Sequence, residues 1–193
     1  MNALARARDL VMAPMATWDH IDDEAAGVQE IYTSYVMVLA AIPPVAYLIG
    51  FSFVGTGLLG GGERVPFAHG VAHTVVLYVL TLGLVYALAA GINALAGGFG
   101  GTRDFSRAFK VAAYAPTATW LAGVFYVFPT LSILALAGLY SLYLLYEGLP
   151  RLMKVPPERA LPFTFAVVLI ALVLGVTGDA LAALMIPARY RGF

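Results

Sequence analysis

The run from Phe67 to Leu95, FAHGVAHTVVLYVLTLGLVYALAAGINAL, contains no Asp, Glu, Lys or Arg over its whole length. A helix rises about 1.5 Å per residue, so roughly 20 apolar residues cross a hydrocarbon core of about 30 Å. This run is long enough to cross a membrane as a single helix, and its extra length predicts a tilt or a protrusion at one end.

The composition of the whole chain agrees with a lipid environment. Of 193 residues, 61% are hydrophobic and 11% are charged, whereas soluble domains are about 45–50% apolar and about 25% charged. The formal net charge is zero, which argues against a nucleic-acid partner, because no basic excess is present to neutralise phosphates. The chain has no cysteine, which excludes disulfides, thiolate nucleophiles and Cys-ligated zinc.

Three further charge-free stretches lie at residues 31–62, 111–146 and 160–178. The middle one is too long for one span and barely long enough for two. Pro129 lies near its centre, and proline disfavours the helical conformation of the residue before it, which predicts a tight hairpin there. A single span with a re-entrant segment is the open alternative. We predict an all-α bundle with five transmembrane helices, at about residues 31–53, 67–95, 108–126, 131–146 and 161–186.

The orientation follows from the basic residues near the membrane. Eight of the eleven Lys and Arg residues lie on the side of the N-terminus, which predicts a cytoplasmic N-terminus and an outer C-terminus. The chain then divides into a cytoplasmic arm (residues 1–30), a five-span domain (31–187) and a short outer tail (188–193). The chain is rich in Ala and Arg and contains only Lys110 and Lys154 as lysines, which suggests a bacterial protein of the inner (plasma) membrane.

The N-terminal arm is predicted to be amphipathic and acidic. Residues 2–11 form a short amphipathic helix in this interpretation, which we expect to lie on the cytoplasmic leaflet, and a second helix covers about residues 22–30. An acidic run follows the first helix (Asp19, Asp22, Asp23 and Glu24). We interpret these acids as solvated residues at a helix start, where the helix dipole favours negative charge. Attraction of a divalent cation or of a basic partner surface is the alternative.

Four titratable residues are predicted to share one depth near the outer side. His69 and His73 are spaced i, i+4, which places both rings on one face of a helix. Glu63 lies just before them, and Asp179 lies about 26 Å along the last span, near the same interface. The four residues are candidate ligands of a divalent metal. The alternative is that they only face headgroups and water. No cofactor is predicted.

Aromatic and small residues mark other features of the spans. Tyr143 and Tyr146, with Tyr32 and Tyr35, are predicted to form a cytoplasmic aromatic belt. Pro43-Pro44 should kink the first span. Small residues of the last span should allow close helix packing (Ala171, Gly175, Gly178 and Ala182).

Three stretches resemble the bacterial branch of the Yip domain (Ypt/Rab-interacting protein) family. They are residues 12–21 (MAPMATWDHI), residues 93–116 (NALAGGFGGTRDFSRAFKVAAYAP) and residues 139–149 (LYSLYLLYEGL). The resemblance implies five spans and a cytoplasmic N-terminus. Eukaryotic relatives act in vesicle traffic through a long cytoplasmic N-terminal region, which here is only about thirty residues long.

The sequence contains no enzyme motif such as His-Glu-x-x-His or Gly-x-Ser-x-Gly, and we expect no enzymatic activity. The favoured hypothesis is a non-enzymatic membrane scaffold with an unidentified protein partner at its cytoplasmic face. The alternative is a transporter or channel for an ion or small solute, with the His/Asp group as its site near the outer leaflet. The bilayer is a certain partner of either, and self-association stays open.

Overall fold

The computed structural model describes residues 2–55 and 62–186, and all regular structure in these two ranges is helical. The all-α prediction is confirmed. Most of the glycine-rich stretch at residues 55–62, which we predict to be a turn after the first span, and the predicted outer tail with Arg189 and Arg191 lie outside the described residues.

Eight helical elements follow one another along the described chain. Two short helices come first, and long helices alternate with shorter ones after them: α1 (Ala3–Met12), α2 (Pro14–Asp23), α3 (Val28–Val54), α4 (Phe67–Phe99), α5 (Phe105–Tyr114), α6 (Thr117–Ala122), α7 (Pro129–Met153) and α8 (Pro157–Ala183). Within the described residues, four of these are long and apolar enough to cross a membrane, namely α3, α4, α7 and α8. They coincide with four of the five predicted spans.

The fifth predicted span, residues 108–126, is not one regular helix. α5 ends at Tyr114, a turn follows at Ala115-Pro116, and α6 continues as a 3₁₀ helix over Gly123–Val127. Pro116 has no N–H to donate to a helical bond, which explains the break. The chain then reverses at the extended residue Phe128, before Pro129. The predicted hairpin is present, and a fifth crossing by residues 105–127 stays a prediction.

Two other predictions of local structure need correction. The predicted helix at 22–30 is wrong, because α2 ends at Asp23 and Glu24 is extended before the chain re-enters a helix at Val28. The prolines of the first span do mark a break: a turn at residues 40–41 precedes Pro43 and Pro44, which occupy the first turn of the continuing helix. Proline is tolerated there, because the backbone N–H groups of the first turn have no acceptor within the helix and a missing N–H therefore costs no hydrogen bond.

The core lies at the N-terminal side of the bundle and is rich in aromatic rings. Trp18, Tyr35, Phe109 and Tyr114 are fully or almost fully buried. Tyr35 therefore does not belong to the predicted aromatic belt: its hydroxyl shares a 2.6 Å hydrogen bond with Thr117 Oγ1. Tyr143 and Tyr146 are exposed on α7, as a belt requires.

α4 and α8 pack antiparallel along most of their length. The Phe99 ring lies 5.2 Å from that of Phe163 at one end, and the His73 ring bonds to the carbonyl of Ala182 at the other. A side chain at Gly178 would place its Cβ 2.8 Å from Leu84, so this glycine permits the close approach that the small residues predicted. The outward faces of these helices carry exposed apolar side chains, as lipid-facing helices do.

Candidate functional site

The N-terminal arm is fastened to the membrane bundle by a cluster of charged residues, here called the ionic cap. Acids at the end of α2 and just after it meet basic residues of α1, α5, α7 and the turn after α7. The ionic cap consists of Arg6, Asp19, Asp22, Glu24, Arg107, Lys110, Glu147, Arg151 and Lys154.

Lys110 is the innermost member of the ionic cap. Its side chain is buried, and its ammonium group donates to the carbonyl oxygens of Ile21 at 2.8 Å and Glu24 at 2.5 Å. These carbonyls belong to the carboxyl end of α2, where the helix has no internal N–H partners and its dipole favours a cation. Lys110 therefore caps α2 from a different element of the fold.

Asp22 joins two basic residues from separate parts of the chain. Its carboxylate lies 2.5 Å from the Lys154 ammonium and 3.6 Å from the Arg107 guanidinium. Lys154 reaches this position because it adopts a left-handed conformation, with φ of 54°, where α7 ends. Asp22 thus ties α2 to α5 and to the end of α7.

The outer rim of the ionic cap is formed by Arg151. Its guanidinium lies 3.3 Å from Asp19 of α2 and also pairs with Glu147 one turn earlier on α7. On the other side, Arg6 of α1 pairs with Glu24 at 2.6 Å. The pair of Arg151 with the largely exposed Asp19 is individually weak, and the pair of Arg6 with Glu24 joins two parts of the arm to each other, so the buried Lys110 is the strongest single attachment of the arm to the bundle.

The ionic cap corrects the prediction for the acidic run. Asp19 and Asp22 lie at the end of a helix rather than at its start, and they pair with basic residues that come 85 or more positions later in the chain. The sequence signal for this cluster is Lys110, which directly precedes a long charge-free stretch. A lysine bordering a membrane segment needs acceptors, and the arm supplies them.

The opposite end of the bundle holds the two predicted histidines. His69 Nδ1 lies 3.2 Å from the carbonyl oxygen of Met185, and His73 Nδ1 lies 3.0 Å from that of Ala182. Both rings face the carboxyl end of α8, as the i, i+4 spacing predicts for one helix face. His73 is buried, and its ring packs 4.6 Å from that of Tyr47. The imidazoles lie against carbonyls of the last turn of α8, and the Ala182 carbonyl also accepts from the Met185 backbone N–H at 3.0 Å.

The other two predicted ligands lie nearby but complete no metal centre in this geometry. Asp179 lies one turn before Ala182 on α8 and is exposed, and Glu63 is exposed before α4. Across residues 2–55 and 62–186, no three His, Asp or Glu side chains are grouped so that they could hold a metal ion. Metal binding by His69, His73, Asp179 and Glu63 therefore stays a prediction.

A cavity of about 390 Å³ lies among α4, α6, α7 and α8, and Asp179 is at its border. Its walls are almost wholly apolar, and Gly175 leaves open space where a side chain would otherwise point. The hydroxyls in the wall already serve the fold, because Thr119 donates its backbone N–H to Ser141 Oγ at 2.9 Å and its hydroxyl to Gly138 at 3.0 Å. The cavity has the size of a small-ligand site and the lining that suits an apolar chain.

The chain has relatives among known proteins. The sequence model of the Yip1 domain matches residues 8–178. The chain is similar to the inner membrane protein YohC of Escherichia coli K12, with 26% identity over 179 residues, which are 90% of this chain and 91% of that protein. The same values hold for the protein of that name from Escherichia coli O6:H1. No solved structure matches the chain.

These matches cover nearly the whole length of the described bundle, and they confirm both the resemblance seen in the sequence and the predicted inner-membrane localisation. The match begins inside α1 and thus includes most of the arm and every residue of the ionic cap beyond Arg6. The chain belongs to the Yip1 domain family and is an integral protein of the bacterial inner membrane.

Proposed function

We propose that this protein is a non-enzymatic scaffold that crosses the inner membrane five times and offers a folded cytoplasmic surface to a protein partner. The observation that carries the proposal is the ionic cap, which holds the thirty-residue arm in one defined position against the bundle. A preordered surface binds a partner without first losing conformational entropy.

The topology on which this proposal depends rests on the charges. Residues of the arm, of the first half of α5 and of the end of α7 meet in the ionic cap, so these three parts of the chain share one side of the bundle. The arm, residues 103–110 and residues 151–159 together hold eight of the eleven basic residues, which favours the cytoplasm for that side. Residues 105–127 must then cross the membrane, together with α7, to bring Phe128 to the outer side.

The absence of native cysteine makes this topology testable with single-cysteine variants. Spheroplasts are treated with a membrane-impermeant maleimide before and after permeabilisation. We expect Glu63→Cys and Thr130→Cys to react in intact spheroplasts, and Asp23→Cys and Arg159→Cys to react only after permeabilisation. Reaction of Arg159→Cys from outside, or protection of Thr130→Cys, would contradict the five-span arrangement.

The surface offered to a partner includes the outward side of α2. His20 and Asp23 are exposed there, and the Asp19 side chain is 70% exposed even though it pairs with Arg151. These residues form an acidic patch with one titratable imidazole, which suits a partner with a basic surface.

Photocrosslinking in living cells tests this function. A photoreactive amino acid replaces His20 or Asp23, and Val173 on the outward face of α8 serves as the matched position away from the patch. We expect a discrete protein adduct from His20 and Asp23 that is absent from Val173 and that weakens when Lys110→Met releases the arm. If neither position of α2 yields an adduct, or if Lys110→Met leaves it unchanged, the scaffold proposal loses its basis.

A further inference from the structure

The two N-terminal helices form a hairpin whose turn lies at Ala13-Pro14. The open end is closed by the ion pair between Arg6 and Glu24, which are 18 residues apart and meet at 2.6 Å. α1 and α2 are both ten residues long, so each is about 15 Å in length. The turn is therefore about 15 Å away from the ionic cap residues at the open end.

The hairpin lies along α7, with its turn pointing toward the middle of that helix. Midway along α2, Asp19 pairs with Arg151, and a side chain at Gly148 would place its Cβ 2.6 Å from the Trp18 ring. Near the turn, the Tyr140 hydroxyl donates to the Val11 carbonyl at 3.2 Å. Tyr140 precedes Arg151 by eleven residues, which corresponds to about 16 Å along the helix.

Tyr140 lies on the apolar part of α7, farther into the membrane than the charged residues at the end of that helix. Glu147, Arg151 and Lys154 are the charged residues of this part of the chain, and none lies in the described part of α7 before Glu147. The exposed Tyr143 and Tyr146 mark the interface, and Tyr140 lies about 9 Å deeper than Tyr146. The neighbouring Leu139 is 61% exposed, which is expected of a side chain that faces lipid.

The turn of the hairpin has the composition of a lipid-facing segment. Residues 10–18 (LVMAPMATW) contain no charge and lie between Asp9 and Asp19. Leu10 and Trp18 are buried against the bundle, whereas Met12 is 78% exposed and Met15 is 54% exposed. Large apolar side chains that point outward at this depth continue the apolar outer surface of α7.

Several backbone groups of the turn are already paired, which lowers the cost of placing it in lipid. Unpaired backbone groups are costly in hydrocarbon. The Val11 carbonyl accepts from the Tyr140 hydroxyl, and the Ala13 carbonyl accepts from both the N–H and the hydroxyl of Thr17. Pro14 has no N–H that would need a partner, and the Ala13 N–H donates to Asp9.

We propose that residues 10–18 are a re-entrant wedge, inserted among the acyl chains of the leaflet on the N-terminal side. A leaflet is about 15 Å of hydrocarbon, so a tip about 9 Å deeper than Tyr146 enters it without reaching the other leaflet. The exposed Arg8 and Asp9, paired at 2.8 Å, then lie near the headgroups, to which an arginine can extend. This proposal goes beyond the scaffold function, because its partner is the lipid itself.

The consequence is an asymmetric shape in the membrane. The wedge adds the turn and the adjoining ends of α1 and α2 to one leaflet only, so the protein displaces more lipid on the N-terminal side than on the other side. A protein of this shape favours membranes in which the leaflet that holds the wedge is the convex one, or in which that leaflet contains packing defects.

Spin labels on single cysteines measure the depth of the wedge. Met12→Cys and Met15→Cys are labelled with a nitroxide, and the protein is reconstituted into vesicles of phosphatidylethanolamine and phosphatidylglycerol. Collision rates with oxygen, which concentrates in lipid, are compared with those of a water-soluble nickel chelate. Asp23→Cys, on the same hairpin at its open end, is the aqueous control, and Val173→Cys on α8 is the lipid control.

We expect the ratio of oxygen to nickel collisions at Met12 and Met15 to be several-fold higher than at Asp23 and similar to that at Val173. A ratio equal to that of Asp23, in protein whose Val173 label reports lipid, would overturn the wedge. Shielding from both reagents would also overturn it, since it would indicate burial against another protein copy. The purified protein is tested alone, so this result is independent of whether the proposed cytoplasmic partner exists.

Discussion

The two ends of the bundle are closed by different chemistry. At the N-terminal side, Lys110 and the ion pairs of Asp19, Asp22 and Glu24 join elements from distant parts of the chain. At the other side, His69 and His73 bond to two carbonyls of α8. One end is thus held by charges that a polar medium weakens, and the other by hydrogen bonds between imidazoles and backbone carbonyls of the adjacent helix. The first end is thus the one that can be released.

The largest effect is expected from Lys110→Met, which removes the buried attachment of α2. The Ile21 and Glu24 carbonyls lose a charged donor, and such hydrogen bonds contribute about 1.5–3 kcal/mol each. We expect the arm to become accessible to protease in detergent-solubilised protein, while the His73 end stays folded. Lys154→Met is the matched control, because that side chain is about half exposed. An arm that stays as resistant as in the wild type would show that Lys110 does not hold it.

A smaller effect is expected from Gly148→Ala, which removes the space that Trp18 occupies. A Cβ there would lie 2.6 Å from the indole ring, so the ring must move, and overpacking of this kind costs about 1–3 kcal/mol. The measurement is the thermal unfolding of the purified protein, with the emission of Trp18 followed in a Trp120→Phe background. Gly175→Ala on α8 is the control, since nothing lies within 4 Å of its added Cβ. Equal melting temperatures for the two variants would contradict the packing described for Trp18.

The histidine end is tested by His73→Ala and His69→Ala. His73→Ala should lower the free energy of unfolding by about 1 kcal/mol or slightly more, because the buried bond to Ala182 is lost, and His69→Ala should lower it by less, because that side chain is exposed. Both variants should melt below the wild type, His73→Ala at the lower temperature, and neither should release the arm. Zinc titration of the double variant separates a structural role from the metal prediction. Equal zinc binding by the wild type and the variant indicates the structural role, and binding lost in the variant supports the metal site.

The smallest effect is expected from salt, which should weaken the attachment of the arm and leave the histidine end unchanged, without any mutation. Raising the ionic strength from about 0.1 M to about 1 M shortens the Debye length from about 10 Å to about 3 Å. The exposed pair of Arg151 with Asp19 should weaken by less than about 1 kcal/mol, so the arm should be cleaved somewhat faster by protease. The melting temperature of His73→Ala relative to the wild type should not change with salt. If salt protects the arm, the ionic cap is not what holds it.

Much of the membrane domain can be predicted from the sequence, because a segment that crosses hydrocarbon must be long, apolar and free of charge. A crossing helix needs a long run without charges, and four such runs correspond to α3, α4, α7 and α8. The register of His69 and His73 was also predictable, since helical periodicity alone places them on one face. The break at Ala115-Pro116 is harder to predict, because a proline inside an apolar stretch can either kink a crossing helix or end it, depending on the neighbouring helices.

The arm was predicted less well because its structure depends on its contacts. Residues 2–11 are helical as predicted, but their buried side, with Ala7 and Leu10, packs against the bundle. The helix predicted at 22–30 is absent because α2 ends at Asp23, where the Lys110 ammonium donates to the carbonyls of Ile21 and Glu24. Tyr35 resembles a belt residue in sequence and is instead a core residue, since Thr117 provides a partner for its hydroxyl.

The amino-acid sequence is enough to predict that the chain is a membrane protein, to locate its long helices and to find its resemblance to the Yip family. Those properties depend on the solvent and on local periodicity, which act on residues close together in the chain. The contacts of the folded chain are needed to show that the acidic run belongs to the ionic cap and that residues 10–18 lie beside the middle of α7. Such placements depend on pairs of residues some 90 to 130 positions apart, and the energy of a pair exists only after the fold has brought its members together.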